Sequence, residues 1–283
     1  MASMRSIKRR KASVQSTQQI TKAMKLVSTV KLQRSKMRAE QSKAYFNGMY
    51  ATIKSILARA GAIRHPYLQG VDTDKKGIIV ITSNRGLAGG YNSNVTKLIT
   101  NGDWNKEDLK IYSVGKKGRD TLSRKGYEIA ADYSDYIEDP VYMEAMQISR
   151  EVLKAYEDGE IGEIYLAYTS FKNTVSHIPT VLKLLPIDSA EIQKADKEGI
   201  MNFEMDEEDA LALLIPKYVT SIIYGGMVEA IASENGARMQ AMDSATSNAE
   251  EMIDKLSLQY NRARQGSITQ ELTEIIAGAQ AIS

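Results

Sequence analysis

From Ser6 to Ala60 the chain holds no proline and a single glycine, Gly48, and that pair of omissions constrains the fold more than any motif does. Nothing obliges the backbone to leave an α-helix for about 80 Å at 1.5 Å per residue. A helix of that reach is too long to stand alone in a globular domain. Ile20, Ala23, Val27, Val30, Met37 and Ala44 recur at three- and four-residue steps, with Arg34 and Gln41 interrupting. This is the rhythm of a coiled-coil seam. Gly61, Pro66 and Gly70 then end the pattern, which closes a first segment at 1–60.

The C-terminal segment, 206–283, mirrors the first. It follows an acidic run, Glu204, Asp206, Glu207, Glu208 and Asp209. Asp206 is a good N-cap with Asp209 three residues on, and negative charge favours a helix N-terminus. That reading is preferred to a carboxylate pair or metal cluster, because no histidine lies nearby in sequence. Pro216 is expected to kink the helix, and Gly225-Gly226 to mark a weak or tightly packed point. Ala237, Ala241, Ala245, Ala249, Met252, Leu256, Tyr260 and Ala263 form a stripe of mostly small residues that lets another helix approach closely. The last stripe, Ile268, Leu272, Ile275, Ala279 and Ile282, keeps steps of four, three, four and three but is out of phase with the one before. The face jumps at Arg264-Gln265-Gly266, and the apolar tip meets water unless another protein encloses it.

Between the long helices, residues 70–203 read as alternating strands and helices. GIIVITSN, LKIYSVG, GEIYLAYTSF and HIPTVLKLLPI read as strands, and Val141 to Asp158 as a helix. The alternation predicts an α/β insert with a mainly parallel, Rossmann-like sheet and an antiparallel pair at its end. The fold class expected is therefore α/β: a long antiparallel coiled coil of N- and C-terminal helices with an inserted Rossmann-like domain.

Charge is distributed unevenly. Residues 1–43 carry twelve Lys or Arg against one acid, Glu40, while 25 bases face 34 acids in the remainder of a chain whose net charge is +2. A basic arm on a mildly acidic body suits an anionic partner, whether nucleic acid, a membrane surface or acidic loops of another protein. With no cysteine, the chain forms no disulfide framework, thiolate zinc site or cysteine nucleophile. No run of eighteen consecutive apolar residues is present, and the N-terminus lacks a secretory apolar stretch.

Catalytic motifs are thin. The glycine loop SNRGLAGGYNSN, Ser83 to Asn94, fits neither G-x-G-x-x-G nor G-x-x-x-x-G-K-[ST], and VGKKG fits no better. A tight strand-to-helix turn is the preferred reading over a phosphate cradle, with a dinucleotide-binding enzyme kept as a rival. His65 and His177 are the only histidines, too few for an evident metal site. The basic arm resembles the plan of a zipper-type DNA binder, but such proteins keep their heptads outside the basic region, so nucleic acid is not the expected partner. No catalytic, metal or cofactor-binding residue is assigned.

KASVQSTQQITKAMKLVSTVKL (Lys11 to Leu32), SNRGLAGGYN (Ser83 to Asn92) and the block from Glu234 to Ile282 closely resemble the gamma subunit of F-type ATP synthases. Ala88 stands where many relatives carry cysteine, and no insertion of the redox-regulated chloroplast type is evident, which points to a bacterial enzyme. The resemblance implies a non-catalytic rotor stalk with no cofactor of its own. Its partners would be the alpha and beta subunits, the epsilon subunit and the membrane c-ring, and its place the cytoplasmic face of the bacterial cell membrane, as a peripheral protein. It also implies that Met24, Arg264, Gln265, Thr269 and Glu271 engage beta or affect coupling. Lys8, Arg9, Arg10 and Lys11 are placed to face acidic loops of beta. Phe203 and Glu204 are candidates for the foot near the rotor ring.

Overall fold

The computed structural model describes residues 4–59, 66–70, 72–187 and 207–282. Helix α1 (Met4–Arg59) opens the chain and the short α2 (Pro66–Gln69) follows. Then come β1 (Lys76–Ile81), α3 (Tyr91–Thr100), β2 (Leu109–Val114), α4 (Lys116–Arg124), β3 (Glu128–Asp132), α5 (Tyr142–Glu157), β4 (Glu163–Phe171), β5 (His177–Leu185) and the long α6 (Glu207–Ile282). Two compact units result: Met1–Ser28 with Met239–Ser283, and Thr29–Arg238.

The larger unit is built on one five-stranded sheet of order β3-β2-β1-β4-β5. β1, β2, β3 and β4 are mutually parallel and β5 runs antiparallel to β4. The apolar runs of β1 and β2 are buried on both faces, which is why they read as near-continuous hydrophobic stretches. On one face Val95 and Ile99 of α3 and Leu122 of α4 pack on Ile78, Val80 and Ile111. On the other, Ile148 and Val152 of α5 and Leu211, Ile215 and Val219 of α6 cover Ile79, Ile81 and Val114.

α6 lies close on the sheet because its glycine and serine admit it. A Cβ on Gly226 would stand 2.9 Å from Leu166 Cδ2, and one on Gly236 would stand 2.4 Å from His177 Nε2. Between them Ser233 Oγ donates to the carbonyl of Thr169 at 3.1 Å. Pro216 does not end α6, which continues through it although proline removes the donor to the carbonyl of Ala212. One stretch of α6 reaches a mean hydropathy of 1.5 over 18 residues, enough for a membrane span by composition, but 56% of it is buried inside the protein. That is the mark of a core helix. The expected N-cap Asp206 and the breaker Gly61 lie outside the described residues.

The smaller unit pairs the start of α1 with the end of α6. Gln18 donates to Glu250 at 3.0 Å, Thr21 and Thr246 hydroxyls meet at 2.8 Å, and Lys25 reaches Asp243 at 2.5 Å. Partner numbers fall as α1 advances, so the helices are antiparallel. Along α1 a seam of buried and half-buried positions runs through Ile7, Lys11, Val14, Gln18, Thr21, Lys25 and Ser28 in alternating four- and three-residue steps, with Met4, Ser6 and Met24 half-buried beside it. Leu32, Ser35 and Ala39 continue the rhythm within the larger unit. α6 answers with Met242, Thr246, Ala249, Ile253, Leu256, Tyr260, Ala263 and Ser267.

The sequence pattern therefore chose the wrong face of α1. Ile20, Val27 and Val30 are 57%, 59% and 52% exposed, whereas Thr21 and Ser28 are 8% and 2% exposed. Small hydroxyl side chains win the seam because they allow close approach and satisfy themselves: Thr21 donates to the Gln18 carbonyl at 3.0 Å and Thr246 to the Met242 carbonyl at 2.7 Å. On α6 the expected stripe holds at Ala249, Leu256, Tyr260 and Ala263, but Met252 faces water and Ile253 takes its place.

Candidate functional site

Two regions gather the sequence-nominated residues. In the smaller unit the last seam position on α6 is Ser267, and every residue from Ile268 to Gln280 is exposed. The helix is continuous across Arg264-Gln265-Gly266, so the phase change costs no backbone irregularity. Ile268 and Ile275 each fall one residue beyond a seam position and Leu272 two residues beyond, at about 100° per residue, so the stripe turns away from the packed face. Polar Gln270 and Glu274 occupy the continued seam and hydrogen-bond each other at 3.0 Å. The helix thus ends in an apolar strip directed away from its own partner's line.

Arg264 and Gln265 flank this change and both are exposed. Thr269 donates to the Gln265 carbonyl at 2.9 Å, and Ser267 donates to Glu271 at 3.4 Å. These local bonds satisfy the hydroxyls along the helix and leave both Arg264 and Gln265 side chains outward. A Cβ at Gly266 would meet nothing within 4 Å, so the surface is open there.

The antiparallel register brings the basic arm to the same end. Extending the pairs Gln18 to Glu250 and Lys25 to Asp243 by whole turns sets Lys8, Arg9 and Arg10 opposite Leu258 to Tyr260 and Met4 opposite Arg264. Lys8, Arg9 and Arg10 are exposed, while Lys11 is half-buried in a seam position. Three of the four nominated bases therefore form an outward positive collar just below the apolar strip, and the fourth spends its stem on packing. Met24 is half-buried beside Lys25, about 30 Å along α6 from Arg264 at 1.5 Å per residue, and is not part of this cluster. Phe203 and Glu204 lie outside the described residues.

The glycine loop lies in the larger unit. Its polar groups are spent on the loop itself and on neighbouring backbone: Ser83 N–H donates to Asn92 Oδ1 at 2.9 Å, Ser83 Oγ to the Arg85 carbonyl at 2.6 Å, and Asn84 Nδ2 to the Ser134 carbonyl at 2.8 Å. Lys116 N–H donates in turn to Asn84 Oδ1 at 2.9 Å. Leu87 takes a left-handed φ of 64° and stands exposed at the tip. These bonds make a rigid strand-to-helix turn, as the spacing suggested.

Sequence reasoning missed what holds this loop to α6. Arg238 donates to the Gly86 carbonyl at 3.3 Å and is paired with Glu234, one turn back, at 2.6 Å. Both side chains are mostly buried. Burial raises the Glu234 pKa against the lowering effect of Arg238 and Lys31, and Glu138 adds to the rise. The Tyr91 hydroxyl, buried beside the pair, is pushed well above the ordinary phenol range by burial and by Glu234. The only sequence signal was a Glu and an Arg four residues apart among small residues, which ordinarily marks a surface pair.

Comparison with known proteins gives one consistent result. The ATP synthase family profile matches residues 3–282. The chain is 62% identical to the ATP synthase gamma chain of Lachnoclostridium phytofermentans, with all of both chains covered. It is 43% identical to the ATP synthase gamma chain of Alkaliphilus metalliredigens, over 99% of this chain and 98% of that one. Among solved structures it resembles a chain in the central stalk and c-ring structure of Tetrahymena thermophila mitochondrial ATP synthase. There the TM-score is 0.60 and the identity 25%, over 80% of this chain and 99% of that one. A chain of the Euglena gracilis mitochondrial ATP synthase has the same fold, with a TM-score of 0.70 at 19% identity, over 99% of this chain and 94% of that one.

Proposed function

The chain belongs to the ATP synthase gamma-chain family, and we propose on that premise that its paired helices turn inside a ring of alternating alpha and beta subunits, with the apolar end of α6 housed by that ring. As a gamma chain it is the central rotor stalk of an F-type ATP synthase, a non-catalytic part of a membrane-bound complex that carries torque for ATP synthesis or hydrolysis. In this reading nucleotide and Mg²⁺ are held by beta, and the larger unit meets the epsilon subunit and the membrane c-ring at the cytoplasmic face of a bacterial membrane. Arg264, Gln265, Thr269, Glu271 and Met24 touch beta at two heights. Lys8, Arg9, Arg10 and Lys11 answer its acidic loops, and Phe203 and Glu204 belong to the foot.

The observation that supports this best is the exposed apolar strip beyond Ser267, on a helix whose seam is packed up to that residue. A strip of that kind in water is a binding surface. Few fixed charges lie on it, so a surrounding sleeve could turn about it without being pinned at one angle. The test is co-purification of the full chain with alpha and beta, followed by coupled ATP turnover of an Arg264→Ala/Gln265→Ala variant. The reading expects assembly to survive and coupling to fall. Equal loss of both would make these residues structural, and failure of the unaltered chain to co-purify would overturn the reading.

A further inference from the structure

Within the larger unit α6 carries a stripe that the helix pair does not use. Gly226, Glu229, Ser233 and Gly236 follow one another at steps of three, four and three, so all four share one face of the helix. That face meets β4 and β5. Gly226 stands against Leu166 of β4 and Gly236 against His177 of β5, each too close for a Cβ. Between these two bare points the stripe turns polar. Ser233 is completely buried, at a position where alanine would suit the helix better by propensity alone. The stripe ends two residues before Arg238, the last residue of the larger unit.

The polar pair completes an unfinished strand edge. β1 pairs with β4 only as far as Ala167, whereas β4 continues to Phe171 and stays paired with β5 to its end. Thr169 lies opposite Pro179, which has no N–H to give, and its carbonyl turns instead to α6, where Ser233 Oγ donates to it at 3.1 Å. Two residues on, and therefore on the same edge, the Phe171 N–H donates to Glu229 Oε2 at 3.2 Å. The helix thus supplies one donor and one acceptor, the two groups that a neighbouring strand would offer.

Apolar packing holds α6 on the sheet but is non-directional, whereas hydrogen bonds weaken steeply when misaligned. A turn of α6 about its own axis by one residue, about 100°, would carry Glu229 and Ser233 off the β4 edge together. In a rotor stalk, turning about the helix axis is the displacement that torque drives. We propose that Glu229 and Ser233 are positioning residues for torque transmission, fixing the rotational setting of α6 on the β4 edge so that sheet and helix turn as one. The proposal rests on the rotor role and adds the place where twist is resisted.

The test uses the full chain assembled with alpha and beta, the ring fixed to a surface and a bead attached through Lys125→Cys, an exposed position of the larger unit. With ATP withheld, the spread of the bead's angle reports the torsional stiffness between the ring and the sheet. Glu229→Leu/Ser233→Ala removes both bonds and should at least about double the angular variance, because these bonds are the directional part of the contact. ATP hydrolysis by the assembled complex should stay as in wild type. Glu229→Gln keeps an acceptor for the Phe171 N–H and should keep the wild-type spread. Ser233→Ala alone, which removes one hydroxyl and adds no volume, should widen the spread part of the way and decides the matter if the double variant does not fold. An unchanged spread on loss of the bonds, or equal widening with Glu229→Gln, would overturn the proposal. A wild-type complex whose bead does not turn when ATP is added would overturn the rotor role itself, and this proposal with it.

Discussion

Replacing Ile268, Leu272 and Ile275 together with serine separates what the tip does for the chain from what it does for a neighbour. These side chains are 48%, 55% and 68% exposed, so the isolated protein gains little from them. Surface changes of this kind alter folding stability by about 0.5 kcal/mol or less apiece. Full burial of an aliphatic side chain is worth about 1.5–3 kcal/mol, and about half to two thirds of that is still available to a partner at each position. The three together should contribute about 3–5 kcal/mol to enclosure by the alpha/beta ring, on the order of a hundredfold or more in affinity. Thermal melting of the full chain and titration of the ring with wild-type and triple-variant chain measure the two quantities side by side. A large fall in melting temperature would show that the strip is packed within its own chain. Unchanged ring affinity would show that no sleeve encloses it.

The glycines of α6 should respond with opposite signs: Gly225→Ala, facing open space, stabilises by up to about 1 kcal/mol, whereas Gly236→Ala, whose Cβ would press on His177, costs about 1–3 kcal/mol in thermal melts. Glu163 gives a pH signature. Burial alone would raise its pKa, but hydrogen bonds from Lys183, Lys76 and Tyr165 prevail and hold it down at about 2. A depressed carboxylate stabilises the fold fully above its unfolded value of about 4.3 and loses that contribution as pH falls toward the folded value, so Glu163→Gln should flatten the acid limb of stability between those limits. Changing Lys8, Arg9 and Arg10 to glutamine should weaken assembly with the alpha/beta ring most at low salt, where exposed charges are least screened; salt-independent assembly equal to wild type would remove the collar from the contact.

Much of the larger unit was legible because its strands other than β3 carry apolar runs, those of β1 and β2 buried on both faces. β1, β2, β4 and β5 announce themselves as apolar runs, and the antiparallel end pair followed from the order of elements. β3 escaped because it is short and polar: Glu128 to Asp132 alternates exposed and half-buried positions and offers no hydrophobic run. The seam of α1 was misread for a different reason. A heptad pattern finds where apolar residues recur, but here Thr21, Ser28 and Ser35 take the seam, since hydroxyls can return their hydrogen bonds to the helix while small size sets the spacing. The phase break before Ile268 was legible because it is a matter of counting residues. The Arg238 clamp was not, because its meaning depends on Gly86, 152 residues away.

A cysteine pair tests the axle itself, and the chain has no native cysteine to confuse it. The Thr21 and Thr246 hydroxyls stand 2.8 Å apart, so Thr21→Cys/Thr246→Cys should close a disulfide on oxidation, while Ile20→Cys/Thr246→Cys should not. If the two helices turn as one body, ATP hydrolysis by the complex assembled with alpha and beta will be the same with the bridge closed as with it reduced. Failure of the bridge to form, or activity that falls on oxidation and returns with reductant, would contradict it.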